Sequence, residues 1–164
     1  MNDEALARCA LFADLSPEEV ALVVNGSTQY TVPGDHVFFD MEERNESLYV
    51  VLSGAVRVQR AGTETDTELA TLRSGSIFGE MSFIDGSKTS AQVHTIEPTD
   101  VLELKSEEFQ SIIAEHPQLE PKLWRNLALE FKHRLAHTNE LVDYYADLTQ
   151  VLRDNPGAAS LLGT

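Results

Sequence analysis

The chain has 164 residues, and its 27 acidic and 12 basic side chains give a formal net charge of −15. This excess of negative charge disfavours nonspecific binding to nucleic acid and to anionic membrane surfaces. Because Cys9 is the single cysteine, the sequence excludes a disulfide framework and a cysteine-based zinc site. We identify no signal peptide and no apolar run of membrane-spanning length, so we expect a cytoplasmic protein that does not bind membranes.

Helix signals occupy the first part of the chain. Residues 3–13 predict a short helix. A second helix begins after Ser16, because serine is a good helix cap, Pro17 suits the first turn and Glu19 can close a capping box. Gly26 is typical of a helix end, so the second helix should stop there.

The sequence from Thr28 to Lys105 has the composition and spacing of β-strands. It contains short segments rich in Val, Ile, Tyr and Thr, separated by Gly, Pro, Asp and Asn: TQYTV, HVFFD, SLYVVLSGAVRVQR, ELATLR, AQVHTI and DVLELK. Many short strands at regular spacing predict an antiparallel barrel or sandwich.

Two more helices are predicted after the strands. Ser106 begins one that we expect to end near Pro117, and Pro121 opens a longer one that runs to about Arg153. Along the longer helix, residues that can pack against a partner helix recur at alternating steps of four and three, and we call this set the seam: Trp124, Ala128, Phe131, Leu135, Thr138, Val142, Tyr145, Thr149 and Leu152. This heptad spacing is typical of a helix that pairs with another helix.

A second apolar stripe lies beside this seam: Leu123, Leu127, Leu141, Tyr144, Leu148 and Val151. One interpretation is that the helix packs only on its own domain. The two stripes favour pairing with a second partner as well, so we expect a homodimer through residues 121–153.

The order of these elements carries a resemblance to a known family. The segments VPGDHVFF, SLYVVLSGAVRV and SGSIFGEM occur in this order and resemble signatures of the cyclic nucleotide-binding domain, over residues 10–153. The resemblance implies a mainly β fold with flanking helices: an antiparallel jelly-roll β-barrel followed by a long C-terminal α-helix. We therefore expect a barrel domain over 1–120, a dimerisation or lid helix over 121–154 and a flexible tail over 155–164.

The segment GEMSFIDGSKTSAQV, residues 79–93, resembles the phosphate-binding cassette of that family. The resemblance implies that backbone N–H groups of a short helix face a cyclic phosphate and that Glu80 accepts a hydrogen bond from the ribose 2′-hydroxyl. Glu80 is then a binding residue, and we expect no enzyme activity, no metal and no further cofactor. The ligand is cAMP, cGMP or a related small anion, and the cassette residues implied are Gly79, Glu80, Met81, Ser82, Lys88, Thr89, Ser90 and Ala91.

One departure from the family weakens this prediction. Thr89 stands where the family carries an arginine that pairs with the phosphate. Losing such a charge-assisted hydrogen bond costs roughly 1.5–3 kcal/mol, which is on the order of tenfold to more than a hundredfold in affinity. Lys88 either supplies a point charge without the planar fork of arginine or points to water. A second departure is Glu42, where relatives carry a glycine, and we expect an altered turn there.

The segment RLAHTNELV, residues 134–142, resembles the part of the family's C-terminal helix that covers the base. Thr138 and Asn139 can both donate and accept hydrogen bonds, so both could bind a purine edge. Alternatively Thr138 is a polar break in the seam that fixes its register, and the two roles are compatible. His133 and His137 lie one turn apart, but no third metal ligand is presented, so we expect a solvated helix face.

Two functional hypotheses remain open. The first is a single-domain sensor that binds a cyclic nucleotide and signals through its C-terminal helix to an unidentified effector protein. The second is a ligand-free dimeric adaptor that keeps the cassette only as a structural loop. We do not expect a DNA-binding activator, because of the negative charge and because few residues follow Arg153 in this sequence, whereas a winged helix-turn-helix needs several tens.

Overall fold

The computed structural model describes residues 3–62 and 66–154 of the chain. The helices are α1 Asp3–Arg8, α2 Pro17–Asn25, α3 Glu80–Asp85, α4 Ser106–Glu115 and α5 Leu119–Asp154. The strands are β1 Thr28–Val32, β2 Val37–Phe39, β3 Ser47–Ser53, β4 Ala55–Arg60, β5 Thr67–Arg73, β6 Ile77–Phe78, β7 Gln92–Thr95 and β8 Thr99–Lys105. Within these ranges, none of the helices has both the length and the hydrophobicity that crossing a membrane requires.

The strands form two four-stranded antiparallel sheets, which confirms the predicted jelly-roll class. One sheet has the order β1-β8-β3-β6 and the other has the order β2-β7-β4-β5. In the described part of the chain the two sheets are not hydrogen-bonded into one closed barrel. The sheets instead meet through side chains.

Strand β3 separates two apolar cores. Successive side chains of a strand point to opposite faces, so the strand can be buried on both sides. Tyr49 and Val51 contribute to a core shared with residues of the second sheet, such as Val56 and Val93. The other face of β3 carries Leu48, Val50 and Leu52. These three side chains belong to a larger core that β3 shares with the helices. The sequence reads SLYVVLS because every position except the last is buried.

The predicted helix over residues 3–13 is interrupted in the structure. Helix α1 ends at Arg8, Cys9 is extended with ψ of 123°, and a 3-10 turn follows at Ala10–Phe12. Leu6 and Leu11 are both buried in the same core. Five residues of continuous α-helix would turn these two side chains to different faces, so the break allows both to be buried.

The other predicted helices are confirmed with small shifts at their ends. The capping box before α2 is present, with Ser16 N donating to Glu19 Oε2 at 2.9 Å and Glu19 N donating to Ser16 Oγ at 3.3 Å. Helix α5 begins at Leu119 rather than Pro121. Proline is tolerated there because the first N–H groups of a helix have no acceptor within it.

The chain divides into two compact units between Leu127 and Ala128. In the first unit, the start of α5 places Leu119, Leu123 and Leu127 in the core, and all three are fully buried. In the second unit, α5 exposes five large apolar side chains: Leu135, Leu141, Val142, Tyr144 and Tyr145. The predicted flexible tail over 155–164 lies outside the described residues.

Asn126 ties the start of α5 to the N-terminal segment. It is 1% exposed, and its Nδ2 donates to Leu11 O at 2.9 Å and to Ala13 O at 2.6 Å. Two ion pairs lie beside it, Arg125 with Asp14 at 3.0 Å and Lys122 with Glu19 at 2.7 Å.

We expect Asn126→Ala to lower the free energy of unfolding by about 2–3 kcal/mol, since it removes two hydrogen bonds and takes the donor from the carbonyl of the buried Leu11. Urea denaturation followed by circular dichroism measures this. Gln118→Ala, which removes an exposed amide, is the matched control and should change stability by less than about 0.5 kcal/mol. Equal effects of the two substitutions would contradict this role of Asn126.

Candidate functional site

Gly79 forms the corner between β6 and α3. Its φ of +82° lies in the left-handed region, which a glycine adopts without the steric cost of a side chain. A Cβ at this position would lie 2.6 Å from Ser47 O and 2.8 Å from Asn45 Nδ2. The corner therefore requires glycine for its backbone conformation and for the close approach of β3.

Asn45 holds this corner in place. Its buried Nδ2 donates to Ser47 O at 2.7 Å and to Gly79 O at 3.2 Å, while Ser47 N donates to Asn45 Oδ1 at 3.3 Å. The sequence analysis missed this residue. Its position before an apolar strand signals a turn, but nothing local indicates a partner in Gly79, far along the chain.

Helix α3 starts directly after the glycine corner. Glu80 is 5% exposed and Ser82 is also buried, whereas Met81 is 57% exposed. Phe83 N donates back to Gly79 O at 3.2 Å, which closes the first helical turn. N–H groups at the very start of a helix have no acceptor within that helix, and they are backbone donors of the kind that bind anions.

The end of α3 is equally well defined. The Ser87 backbone N–H donates to Asp85 Oδ1 at 2.9 Å. Hydrogen bonds from the side chain and then the backbone of Ser87 lower the pKa of Asp85. Gly86 follows with φ of +67°, and a Cβ there would meet no atom within 4 Å.

The Thr89 side chain is committed to a neighbouring turn. It is 3% exposed, its hydroxyl donates to Asp40 O, and Glu43 N donates to Thr89 Oγ1 at 3.0 Å. Backbone bonds of 2.9 Å join Glu42 N to Thr89 O and Thr89 N to Glu43 O. Thr89 thus fixes residues 40–43 to the cassette, and its contact with a phosphate stays a prediction.

Glu42, which stands where the resemblance places a glycine, has a backbone conformation that glycine adopts most readily. Its φ is +62°, in the left-handed region. The backbone of the turn therefore has a glycine-like conformation, and the substitution adds a carboxylate to it. That carboxylate lies 3.9 Å from Lys88 Nζ, and both side chains are largely exposed.

Two cations lie side by side at the cassette. Lys88 and Arg44 form an antiparallel bridge, so their side chains share one face. Both are exposed. Ser90 is also exposed and its hydroxyl lies 3.9 Å from Met81 Sδ, while Ala91 is buried. The two ends of the predicted binding loop, residues 79–82 and 88–91, therefore lie close together.

A carboxylate and two phenols line the sheet beside the corner. Ser47 Oγ donates to Glu103 Oε1 at 2.6 Å, and the Tyr49 hydroxyl lies 3.4 Å from the same oxygen. Burial, with the Glu103 charge adding to it, raises the pKa of Tyr49 to about 12. The same causes raise the pKa of Tyr30. Both phenols are therefore neutral hydrogen-bond donors at physiological pH.

The remaining predicted residues lie on the second compact unit. Thr138 and Asn139 are exposed on α5, and Thr138 Oγ1 donates to Arg134 O at 2.9 Å. Their role as base contacts stays a prediction. His137 Nδ1 lies 3.9 Å from Glu140 Oε2. Within residues 3–62 and 66–154, no group of three or more His, Cys, Asp or Glu side chains could hold a metal ion.

We expect Gly79→Ala to destabilise the protein more than Gly86→Ala. Both glycines have positive φ, so both substitutions carry the strain of a left-handed alanine, about 1–2 kcal/mol. Only at Gly79 does the new Cβ meet backbone and amide atoms under 3.0 Å away. Urea denaturation gives the free energy of unfolding of each variant. The difference between the two variants measures the cost of the steric clash, because the strain of the left-handed backbone is common to both. A Gly79→Ala protein as stable as Gly86→Ala would show that the corner tolerates a side chain.

Comparison with known proteins places this geometry in a family. The family model for the cyclic nucleotide-binding domain matches residues 28–116. A CRP-like cAMP-activated global transcriptional regulator of Mycobacterium tuberculosis is 30% identical over 156 residues, which cover 94% of this chain and 66% of that protein. The chain thus spans slightly less than two thirds of this relative's length.

Solved structures agree with the sequence comparison. The catabolite activator protein of Thermus thermophilus is 31% identical with a TM-score of 0.72, over 84% of this chain and 63% of that chain. A cyclic nucleotide-binding domain from Methylobacillus flagellatus is 28% identical with a TM-score of 0.70, over 82% of this chain and 78% of that chain. With the family model covering more than half of its residues, the chain belongs to the cyclic nucleotide-binding domain family.

Proposed function

We propose that this chain is a regulatory sensor that binds a cyclic nucleotide, cAMP or cGMP, at the cassette and signals to an effector protein in the cytoplasm. The observation that carries the proposal is the corner at Gly79: a left-handed glycine, clamped by Asn45, that starts α3 with a buried glutamate. This arrangement combines backbone donors for a phosphate with a carboxylate acceptor for a ribose hydroxyl.

The phosphate end of the site has donors but little charge. The first-turn N–H groups of α3 supply aligned dipoles, and Lys88 and Arg44 are the nearby cations. The Thr89 hydroxyl is already bonded to Asp40 and Glu43. We therefore expect weaker binding than in a loop with an arginine, by about tenfold or more.

The proposed function is the binding of a cyclic nucleotide and does not include a catalytic step. Glu80 acts as a hydrogen-bond acceptor, and the relatives named above are regulators or binding domains by their descriptions. Glu80 therefore supports recognition of the sugar and not hydrolysis of the cyclic phosphate.

A chain of aromatic contacts offers a route from the cassette toward α5. Phe83 of α3 packs edge-to-face on Phe109 of α4, with ring centroids 5.4 Å apart. Phe109 packs in the same way on Trp124 at the start of α5, again at 5.4 Å. Because close-packed side chains transmit small displacements, a shift of α3 on ligand binding would move the base of the long helix.

The exposed stripe of α5 supports assembly into a homodimer. Leu135, Val142 and Tyr145 follow the predicted heptad spacing, and each is about 60% exposed. Exposed apolar side chains in this pattern are typical of a helix that pairs with a second copy. In this proposal Thr138 and Asn139 contact the base of the bound nucleotide, and the dimer presents the signal to the effector.

The position of Thr89 favours a second candidate, a ligand-free dimeric adaptor. Since its side chain is buried against the turn over residues 40–43, the cassette is stabilised without any ligand. In this case α5 alone provides the function, through contacts with a partner.

Isothermal titration calorimetry with cAMP and with cGMP distinguishes the two candidates. We expect saturable binding of at least one nucleotide, and about tenfold weaker binding by Glu80→Gln, because a carboxylate accepts a hydrogen bond more strongly than an amide does. Glu115→Gln, an exposed glutamate at the end of α4, is the control and should bind as the wild type does. Absence of heat and of any thermal shift at millimolar nucleotide would leave only the adaptor.

Light scattering coupled to gel filtration tests the homodimer. We expect Leu135→Asp to convert the dimer into a monomer at micromolar concentration, because it buries a charge in the seam. Ala136→Asp adds the same charge one residue away, outside the seam, and should remain dimeric. A wild-type monomer, or equal behaviour of the two variants, would contradict pairing through this stripe.

A further inference from the structure

A concave site lies beside the cassette helix α3. A cleft of about 340 Å³ opens between α3, the start of α4 and the first turns of α5. Its walls include the carboxylates of Glu46 and Glu107, the hydroxyl-bearing Ser82 and Ser106, and the rings of Phe83 and Trp124. None of the residues that line it, all within the described part of the chain, is basic.

The fold fixes both kinds of wall. Ser106 N donates to Glu46 O at 2.9 Å, which joins the segment before β3 to the start of α4, and both segments contribute a glutamate to the cleft. The edge-to-face contact of Phe109 with Trp124, at 73° between the rings, holds the indole in position. The cleft is thus lined by both carboxylate and aromatic side chains on elements that the fold holds together.

These walls have the chemistry of an organic-cation site. Guanidinium and ammonium groups make their strongest hydrogen bonds with carboxylates, and they are attracted to the face of an indole. The hydroxyl groups of Ser82 and Ser106 add acceptors, and the phenyl ring of Phe83 can cover an alkyl chain. The volume lies at the lower end of the range of small-molecule sites, so it suits a short aliphatic molecule.

We propose that this cleft binds a small organic cation, a guanidinium or primary amine on a short alkyl chain. The net charge of −15 favours the approach of such a ligand, in contrast to an anion. No cyclic nucleotide is needed for this binding, so the two sites can be tested separately.

Trp124 is the only tryptophan of the sequence, which makes its fluorescence a direct reporter of the cleft. We would titrate the protein with agmatine, which carries a guanidinium and an amine, and with 1-pentanol as an uncharged molecule of similar length. Calorimetry on the same samples detects binding that leaves the emission unchanged. We expect saturable binding of agmatine and none of 1-pentanol.

The double variant Glu46→Gln, Glu107→Gln removes both carboxylates and should bind agmatine at least tenfold more weakly. Glu97→Gln, Glu115→Gln removes the same charge outside the cleft and should bind as the wild type does. Absence of saturable binding by both readouts would overturn the proposal. Equal weakening in the two double variants would also overturn it, because it would show attraction to the overall charge only.

Discussion

The left-handed corner at Gly79 determines the geometry of the cassette. Asn45 bonds the Gly79 carbonyl to the start of β3, and the space around the glycine excludes even a methyl group. This one constraint sets the direction in which α3 leaves the sheet. It thereby buries Glu80 and exposes Met81, so the placement of these two residues follows from a backbone conformation rather than from an ion pair.

The local charge at the cassette limits the affinity that the proposed site can have for a phosphate group. A loop with an arginine binds phosphate by a planar, charged fork, whereas here Thr89 is used to fix the turn over residues 40–43. Glu42 adds a carboxylate near Lys88 and reduces the local positive potential further. In the proposed cyclic nucleotide site, the backbone geometry is therefore combined with weak electrostatics. The same acidity favours an organic cation in the cleft beside α3.

Sequence patterns predicted the elements because these depend on local signals. The capping box at Ser16, the turn-bounded strands and the heptad steps of α5 each depend on residues a few positions apart. The break at Cys9 was missed because it depends on the burial of Leu6 and Leu11 in a core formed by distant elements. The clamp by Asn45 and the engagement of the Thr89 hydroxyl were missed for the same reason, since both join segments far apart in the chain.

The central claim is that backbone amides at the start of α3, with Glu80, hold a cyclic nucleotide without an arginine. Amide chemical shifts of the ¹⁵N-labelled protein during addition of cAMP or cGMP test it residue by residue. The account predicts saturable shifts concentrated in residues 79–83 and 88–91. A spectrum in which no amide shifts would contradict it. So would a spectrum in which other amides shift but those of residues 79–83 and 88–91 do not.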